Sequence, residues 1–344
     1  MDREGKSSAL LLSKNLKNKA YMKNLYTLIL ASFLSFSLWG QQEEQYTQFM
    51  NYKMGLNPAY AGLDSGPCMT ALIRNQWIGI EGAPQTQLLT FNTPFRTDRV
   101  GIGGSIIRQT IGVTQNYTAE AAYAYRLRLG NGDLSLGLSA SVRLFSVDFS
   151  DLKGTQPIAI DNAVPGDFQS KYVPNFGAGI YYSGRNTYFG VSIPRILQNN
   201  IDLADSKDVI SKEVRHFYAM AGMEIPVGGN VKMKPQVLVK YVSGAPFDAD
   251  VNMSFYFAGF NAGASYRIGG SKANSVGESV SLLLGAQLSE ELVFNLSYDA
   301  TLSPLRSYNS GSVEGVLQFY FGGKKNSPSK GKIETPRGPE FYKN

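Results

Sequence analysis

The chain has 344 residues, a formal net charge of +6, one cysteine and one histidine. A single thiol excludes an internal disulfide framework and any cysteine-rich metal site, and a single imidazole excludes metal sites that need two histidines. Residues 1–24 and 323–344 each carry a net charge of +4, which leaves −2 for the residues between them. A basic face for nucleic acid is therefore not expected in the body of the chain.

The N-terminus has the pattern of a secretory signal peptide. Lysines precede an apolar run of about 14 residues at 25–38, whereas a membrane-spanning helix needs about 20. We predict a signal peptide over residues 1–40 with cleavage near Gly40. Met22 begins a complete signal sequence by itself and is an alternative start. Residues 41–66 are predicted to form a periplasmic or lumenal segment.

Residues 67–322 alternate between apolar and polar residues with a period of two. In Asp133–Phe145, leucines and Val142 fall on one face, while serines and Arg143 fall on the other. About 14 such segments of roughly 9 to 15 residues can be placed, and a tilted membrane strand needs about 9 to 11. A composition with 36 Gly, 20 Tyr and 19 Phe also favours strands over helices.

The connections between the predicted strands are sorted by length. Short turns follow the even-numbered strands, whereas the long connections, 148–171 and 195–212, follow odd-numbered ones. This arrangement is typical of outer-membrane barrels, which have short periplasmic turns and longer extracellular loops. We therefore predict an all-β, transmembrane, antiparallel outer-membrane β-barrel of about 14 strands. An even count predicts both ends of the chain on the periplasmic side.

The tail at 323–344 is basic, rich in proline and glycine, and predicted to be disordered. It is either a solubilising extension or a docking segment for a periplasmic partner. The inward-facing charges Arg143, Glu224, Lys240 and Asp299 either line a channel or pair with one another to fill the lumen.

No catalytic constellation is present in the sequence. The histidine, His216, is predicted to be a hydrogen-bonded side chain in the lumen. The motif Gly101-Ile-Gly-Gly-Ser lies within a strand pattern and lacks the helix of a dinucleotide-binding loop. We expect no enzyme activity, no metal and no cofactor.

Motifs on either side of the first strand provide the most specific indication of function. Residues 45–51 read Gln-Tyr-Thr-Gln-Phe-Met-Asn, and an Asn-Pro-Ala-Tyr-Ala-Gly motif and an Arg-Asn-Gln-Trp motif follow. With these motifs the chain resembles the PorP/SprF family, membrane components of the type IX secretion system of the Bacteroidota. The resemblance is motif-specific from Gln45 to about Pro94 and architectural from there to Phe321. Its signature residues are Asn57, Pro58, Ala59, Tyr60, Gly62, Arg74, Gln76, Trp77, Gly82 and Pro84.

The resemblance implies a cell outer-membrane protein that supports secretion and surface anchoring of cargo with a type B C-terminal sorting domain, including gliding adhesins. Outer-membrane lipid, the cargo sorting domain and other type IX components, with periplasmic ring proteins as further candidates, are the implied partners. Candidate cargo contacts in the long loops are Asp148, Asp151, Asp161, Asp167, Arg195 and Asp202. The alternative is a FadL-like or porin-like transporter of small molecules, whose lumen is plugged by residues 41–62.

Overall fold

The computed structural model describes residues 43–64, 66–95, 97–148, 168–201, 212–269 and 277–322. The predicted signal peptide and basic tail lie outside these ranges. So do four of the candidate cargo contacts, Asp151, Asp161, Asp167 and Asp202.

Most of the described chain forms antiparallel β-strands. The strands are β1 Cys68–Asn75, β2 Gln85–Phe95, β3 Thr97–Ile111, β4 Thr114–Leu129, β5 Gly132–Val147, β6 Gln169–Ser183, β7 Thr187–Ile193, β8 His216–Met223 continued by Ile225–Gly228, β9 Val231–Val242, β10 Asp248–Phe257, β11 Phe260–Ile268, β12 Ser279–Gln287, β13 Leu292–Thr301 and β14 Ser312–Tyr320. The two segments of β8 both pair with β9 and are separated at Glu224, so they form one interrupted strand.

The sheet closes on itself. Consecutive strands pair with each other, and β1 pairs with β14 through Cys68–Asn75 opposite Val313–Tyr320. Closure leaves each strand hydrogen-bonded on both sides, which a sheet in lipid requires because hydrocarbon offers no hydrogen-bond partner. The prediction of a barrel of about 14 strands is confirmed.

The barrel is apolar outside and polar inside. In β5, Leu136 and Leu138 are exposed on the outer face, while Ser135 and Arg143 are buried on the lumenal face. Large exposed aromatic side chains lie on the outer face near both ends of the strands, including Tyr172, Tyr241, Phe189 and Phe260. Aromatic girdles of this kind are found where barrels meet the two membrane interfaces.

The lengths of the connections distinguish the two ends of the barrel. Residues 130–131 join β4 to β5 and residues 258–259 join β10 to β11, whereas residues 148–168 and 194–215 form the long connections at the opposite end. The N-terminal end of β1 and the C-terminal end of β14 both lie at the short-turn end, in agreement with the even strand count. By the rule for outer-membrane barrels this end is periplasmic.

In the residues that the structure describes, helices are short. Three of these short helices precede β1, at Phe49–Asn51, Lys53–Leu56 and Pro58–Tyr60, and one follows β13 at Pro304–Ser307. Within the described ranges, no helix has both the length and the apolar composition needed to cross a bilayer.

Candidate functional site in the lumen and at the external loops

Residues 43–64, here called the lumenal segment, pack inside the barrel. Phe49, Leu56, Ala59 and Leu63 belong to one buried apolar cluster with side chains of the wall. The wall side chains of this cluster are Tyr181, Tyr218, Met220 and Leu238. The lumenal segment therefore supplies much of the apolar core that the polar inner face of the barrel does not have.

The lumenal segment runs from the long-loop end to the short-turn end. Glu43 forms ion pairs with Arg143 and Arg195, near the long-loop ends of their strands. At the other end, the carbonyl oxygen of Gly62 accepts a hydrogen bond from Arg126, near the short-turn end of β4. The strands begin and end at the short-turn end, as the even count predicts. The described start of the chain does not lie there, because Glu43 lies toward the other mouth.

Arg74 occupies the centre of a buried network in the half of the lumen nearest the long loops, here called the upper lumen. Its guanidinium lies 2.8 Å from an Asp299 oxygen and 3.0 Å from a Glu314 oxygen. The Glu314 carboxylate also accepts hydrogen bonds from the backbone N–H groups of Thr47 and Gln48, at 3.0 and 2.8 Å. A buried carboxylate is stabilised by a cation and by hydrogen-bond donors together. Here β1 supplies the cation and the lumenal segment supplies the N–H donors, so the segment is fixed to both β1 and β14.

Asn57 anchors the middle of the lumenal segment. Its side-chain amide donates to the carbonyl oxygens of Ile180 and Val191, at 3.0 and 3.2 Å, and its Oδ1 accepts from the Ala59 N–H at 3.0 Å. All three of these hydrogen bonds are made with backbone groups. Two of them need an N–H donor on the side chain, so an aspartate carboxylate could not replace the asparagine amide. The Asn-Pro motif thus starts the short helix Pro58–Tyr60 and docks it on β6 and β7.

Glycines on the inner face make room for the lumenal segment. A Cβ atom on Gly137 would lie 2.1 Å from the Ala59 nitrogen, and one on Gly179 would lie 2.0 Å from Asn57 Oδ1. A Cβ on Gly101 would lie 1.9 Å from the carbonyl oxygen of Ala61. Gly101 of the Gly101-Ile-Gly-Gly-Ser motif is therefore explained by close backbone approach inside the barrel.

Gly62 closes the Asn-Pro-Ala-Tyr-Ala-Gly motif with a φ of +66°. Its N–H donates to Asn92 Oδ1, and a Cβ at this position would lie 2.3 Å from Gly101 Cα. Both the left-handed backbone and the lack of space require glycine here. Nearby, Tyr60 donates from its hydroxyl to Asp64 at 2.9 Å.

The second half of the signature builds an external loop. The Gln76 N–H donates to the Pro84 carbonyl oxygen at 3.0 Å, and the Gly112 N–H donates to that of Gly82 at 2.8 Å. Trp77 adopts a φ of 51°, and β1 ends two residues before it, at Asn75. This part of the signature therefore connects neighbouring external loops. Along the chain it comes shortly after Arg74, which belongs to the lumenal network.

Two described residues of the long connection between β7 and β8 reach back into the lumen. Arg195 is 8% exposed and pairs with Glu43, so its side chain does not present a surface for cargo in this conformation. Glu213, which ends the same loop, lies 3.2 Å from Arg143 and accepts from Asn175 at 2.8 Å. Asp148 is half-buried, and its N–H donates to the carbonyl oxygen of Val113 at 3.0 Å.

The four inward charges considered above form ion pairs. Arg143 pairs with Glu43 and Glu213, and Asp299 with Arg74. Lys240 lies 2.7 Å from Asp250, and Glu224 lies 3.1 Å from Lys232 and 3.5 Å from Lys234. The pairing alternative is therefore the one that the structure supports. One partner, Glu43 of the lumenal segment, could not be assigned from strand periodicity, which describes only the wall.

A cavity of about 140 Å³ remains in the lumen on the short-turn side, and we call it the vestibule. The lumenal segment borders it through Met50, Lys53 and Tyr60, and wall residues such as Tyr256 and Tyr320 lie near the strand ends. The upper lumen is thus filled, while the lower lumen keeps space that opens toward the periplasmic mouth.

The histidine lies in the wall of the barrel, at the start of β8. His216 is buried, and its Nδ1 lies 2.9 Å from the carbonyl oxygen of Val214. Within the described ranges, His, Cys, Asp and Glu side chains form no group of three or more arranged to hold a metal ion.

Comparison with known proteins gives one family and several barrels. The family model described as type IX secretion system membrane protein PorP/SprF matches residues 39–319. No curated protein matches the chain.

Several solved structures are similar to this chain. Omp33 of Acinetobacter baumannii is 9% identical, with a TM-score of 0.44, over 76% of this chain and 100% of that chain. The toluene transporter TbuX of Ralstonia pickettii is 10% identical, with a TM-score of 0.47, over 79% and 94%. A FadL homologue of Pseudomonas aeruginosa is 12% identical, with a TM-score of 0.42, over 78% and 94%. At this similarity the substrates of those proteins carry no argument for this chain.

Proposed function

Because this chain belongs to the PorP/SprF family of type IX secretion system membrane proteins, we propose that it supports secretion and surface anchoring of cargo with a type B C-terminal sorting domain. Gliding adhesins and other large surface proteins are the expected cargo. The barrel lies in the outer membrane, and its external loops hold the sorting domain as the cargo leaves the translocon. Other secretion components meet it on the periplasmic side.

The filled upper lumen is the observation that carries this proposal. Arg74, Asp299 and Glu314 are each at most 4% exposed at the side chain, and all three bind or face the lumenal segment. Displacing the segment would remove the Thr47 and Gln48 N–H donors from the Glu314 carboxylate and the Thr47 hydroxyl from Asp299. The loss of hydrogen-bond donors to buried carboxylates is unfavourable. A barrel blocked in this way is better suited to hold a protein at its outer end than to conduct solutes.

The external loops can be tested without disturbing the lumen. Arg195 and Glu213 belong to the buried cluster and should be kept. Residues 149–167 and 202–211 are then each replaced by a two-residue Asn-Gly turn. We expect the barrel to assemble normally and the cargo at the cell surface to fall, as measured by surface labelling of whole cells.

A matched control is the periplasmic turn Ser289-Glu290, replaced by the same Asn-Gly pair. It changes a turn at the opposite end of the barrel and should leave cargo display at its normal level. Undiminished cargo display after removal of both external loops would refute the proposed role of the loops.

The transporter alternative has the vestibule as its supporting observation. Amide, hydroxyl and charged side chains dominate the vestibule lining, and only Met50, Met54, Met223 and Val293 are aliphatic. Such a lining does not favour a hydrocarbon substrate. Swelling of liposomes that contain the purified barrel distinguishes the two functions, since a transporter admits small solutes and a blocked scaffold does not.

A further inference from the structure

We propose that the upper lumen binds a calcium ion between the carboxylates of Glu44 and Glu120. Glu44 belongs to the lumenal segment and Glu120 to β4, so the ion would tie the start of the segment to the wall of the barrel. The inference is independent of the proposed function, since neither side chain belongs to an external loop.

Glu44 and Glu120 take no part in the ion pairs that neutralise the other buried charges of the upper lumen. Arg143, whose charge acts on Glu44, is bound to Glu43 and Glu213. Each buried cation described there binds carboxylates of other residues, and these cations are Arg74, Arg143, Arg195, Lys240 and Arg267. Within the described ranges, no side chain forms an ion pair with either of the two acids.

The two carboxylates lie close enough to repel each other. Glu120 is half-buried on the lumenal face of β4, opposite Ser105 of β3 and Ser141 of β5 in the strand register, so its neighbours across the sheet are hydroxyls and not cations. A carboxylate removed from water is unfavourable without a positive charge, and a second carboxylate nearby adds to the cost. This pair therefore needs a positive charge that the described side chains do not supply.

Buried oxygen atoms around Glu44 lack hydrogen-bond partners in the described part of the chain. They are one oxygen of the Glu44 carboxylate and the hydroxyl of Tyr46, a residue that is 3% exposed. The charge of Glu44 acts on Tyr46, yet the hydroxyl does not donate to the carboxylate. The ring of Tyr52 lies 4.9 Å from that of Tyr46, and both acids act on it. Because buried polar atoms are nearly always paired, these oxygens indicate a further group between them.

The chemistry of these ligands favours calcium. Calcium is a hard cation that binds about six to eight oxygen atoms of carboxylates, other oxygen groups and water, in an adaptable geometry. Magnesium requires a nearly ideal octahedron, which oxygens from a short segment and a separate strand are less suited to provide. Two carboxylates match the charge of one calcium ion. Since the described acids form no group of three, hydroxyl and water oxygens would complete the coordination.

The test measures terbium luminescence of the full-length barrel in detergent micelles, after bound metal has been removed with a chelator. Terbium occupies calcium sites, and its emission is excited through a nearby tyrosine such as Tyr46 or Tyr52. We expect about one terbium ion per barrel, displaced by calcium. Calcium should also raise the melting temperature by at least about 3 °C, because it binds the folded barrel and not the unfolded chain.

Substitution of either acid should abolish these effects. Glu120→Gln removes one carboxylate at nearly constant size, and we expect it to weaken terbium binding by at least about tenfold and to cancel the effect of calcium on the melting temperature. Glu44→Gln should do the same without changing a strand residue, so it serves where Glu120→Gln does not assemble.

Glu81→Gln is the matched control, because it removes an exposed carboxylate by the same substitution and should change the affinity less than about twofold. Retention of the compact, unheated form on SDS gels shows that each variant is folded. Absence of both terbium emission and a calcium effect in the unsubstituted barrel would overturn the inference, since a shared proton or water would then satisfy the two acids. Binding unchanged in both glutamine variants, or an equal rise in melting temperature with sodium at matched ionic strength, would also overturn it.

Discussion

Gly137→Ala is expected to dislodge the lumenal segment without changing the strand register. The new Cβ would lie 2.1, 2.3 and 2.4 Å from three backbone atoms of Ala59 and Pro58, where ordinary contacts are about 3.4 to 4 Å. Backbone atoms on both sides cannot move away independently, because the wall is paired on both edges of β5. The lumenal segment must therefore shift by more than about 1 Å.

The energetic cost follows from two contributions. Overpacking of a filled core costs about 1–3 kcal/mol. The shift also strains the hydrogen bonds of Asn57 to Ile180 and Val191, and a buried amide left unsatisfied costs about 1–3 kcal/mol. We expect Gly137→Ala to lower the free energy of unfolding by about 2–6 kcal/mol.

Denaturant unfolding followed by Trp77 fluorescence measures this change, and planar-bilayer conductance reports whether the lumen opens. Gly315→Ala is the matched control, since no atom lies within 4 Å of its Cβ and alanine in a strand is about 0.5–1 kcal/mol more favourable than glycine. If Gly137→Ala unfolds like the control and the lumen stays blocked, the lumenal segment does not bind this wall as described.

Two further substitutions test the anchors of the lumenal segment. Arg74→Gln should destabilise the barrel by about 3–5 kcal/mol because it leaves two buried carboxylates without a cation, and adding Asp299→Asn should recover part of that loss. No recovery in the double variant would contradict the ion-pair explanation. Asn57→Asp should cost at least about 1–3 kcal/mol, since a carboxylate cannot donate to the two carbonyl oxygens, whereas an unchanged unfolding curve would show that these bonds are dispensable.

The wall of the barrel could be predicted from the sequence because the alternation of apolar and polar residues is visible within each strand alone. The alternation of leucine and serine in β5 depends on neighbours two residues apart and directly predicts the outer and lumenal faces. Strand ends were less predictable. Trp77 leaves the strand by a left-handed backbone conformation, and β8 is interrupted at Glu224, whose N–H donates to the Asn186 carbonyl oxygen at 2.7 Å.

The interior could not be predicted in this way because its contacts join distant parts of the chain. Asn57 binds backbone groups of β6 and β7 that lie 123 and 134 residues further along. In the sequence Arg195 is a polar loop residue, yet in the structure it lies in the lumen and forms an ion pair with Glu43. The sequence did contain a partial indication of the buried segment. Gly137, Gly179 and Gly190 place one glycine each at inward-facing positions of β5, β6 and β7, where a packed chain can approach the wall closely.

The position of the lumenal segment has a consequence for biogenesis. Its upper anchor joins Thr47 to Glu314, 267 residues further along, so the anchor cannot form until the last strand has been synthesised and brought next to the first. A chain truncated before β13 and β14 would lack Asp299 and Glu314 and would leave Arg74 buried without either partner. Pairing across such a separation is slow and comes late in folding. The Arg74 network therefore forms only in a barrel that has all its strands, since it joins the first strand to the last two.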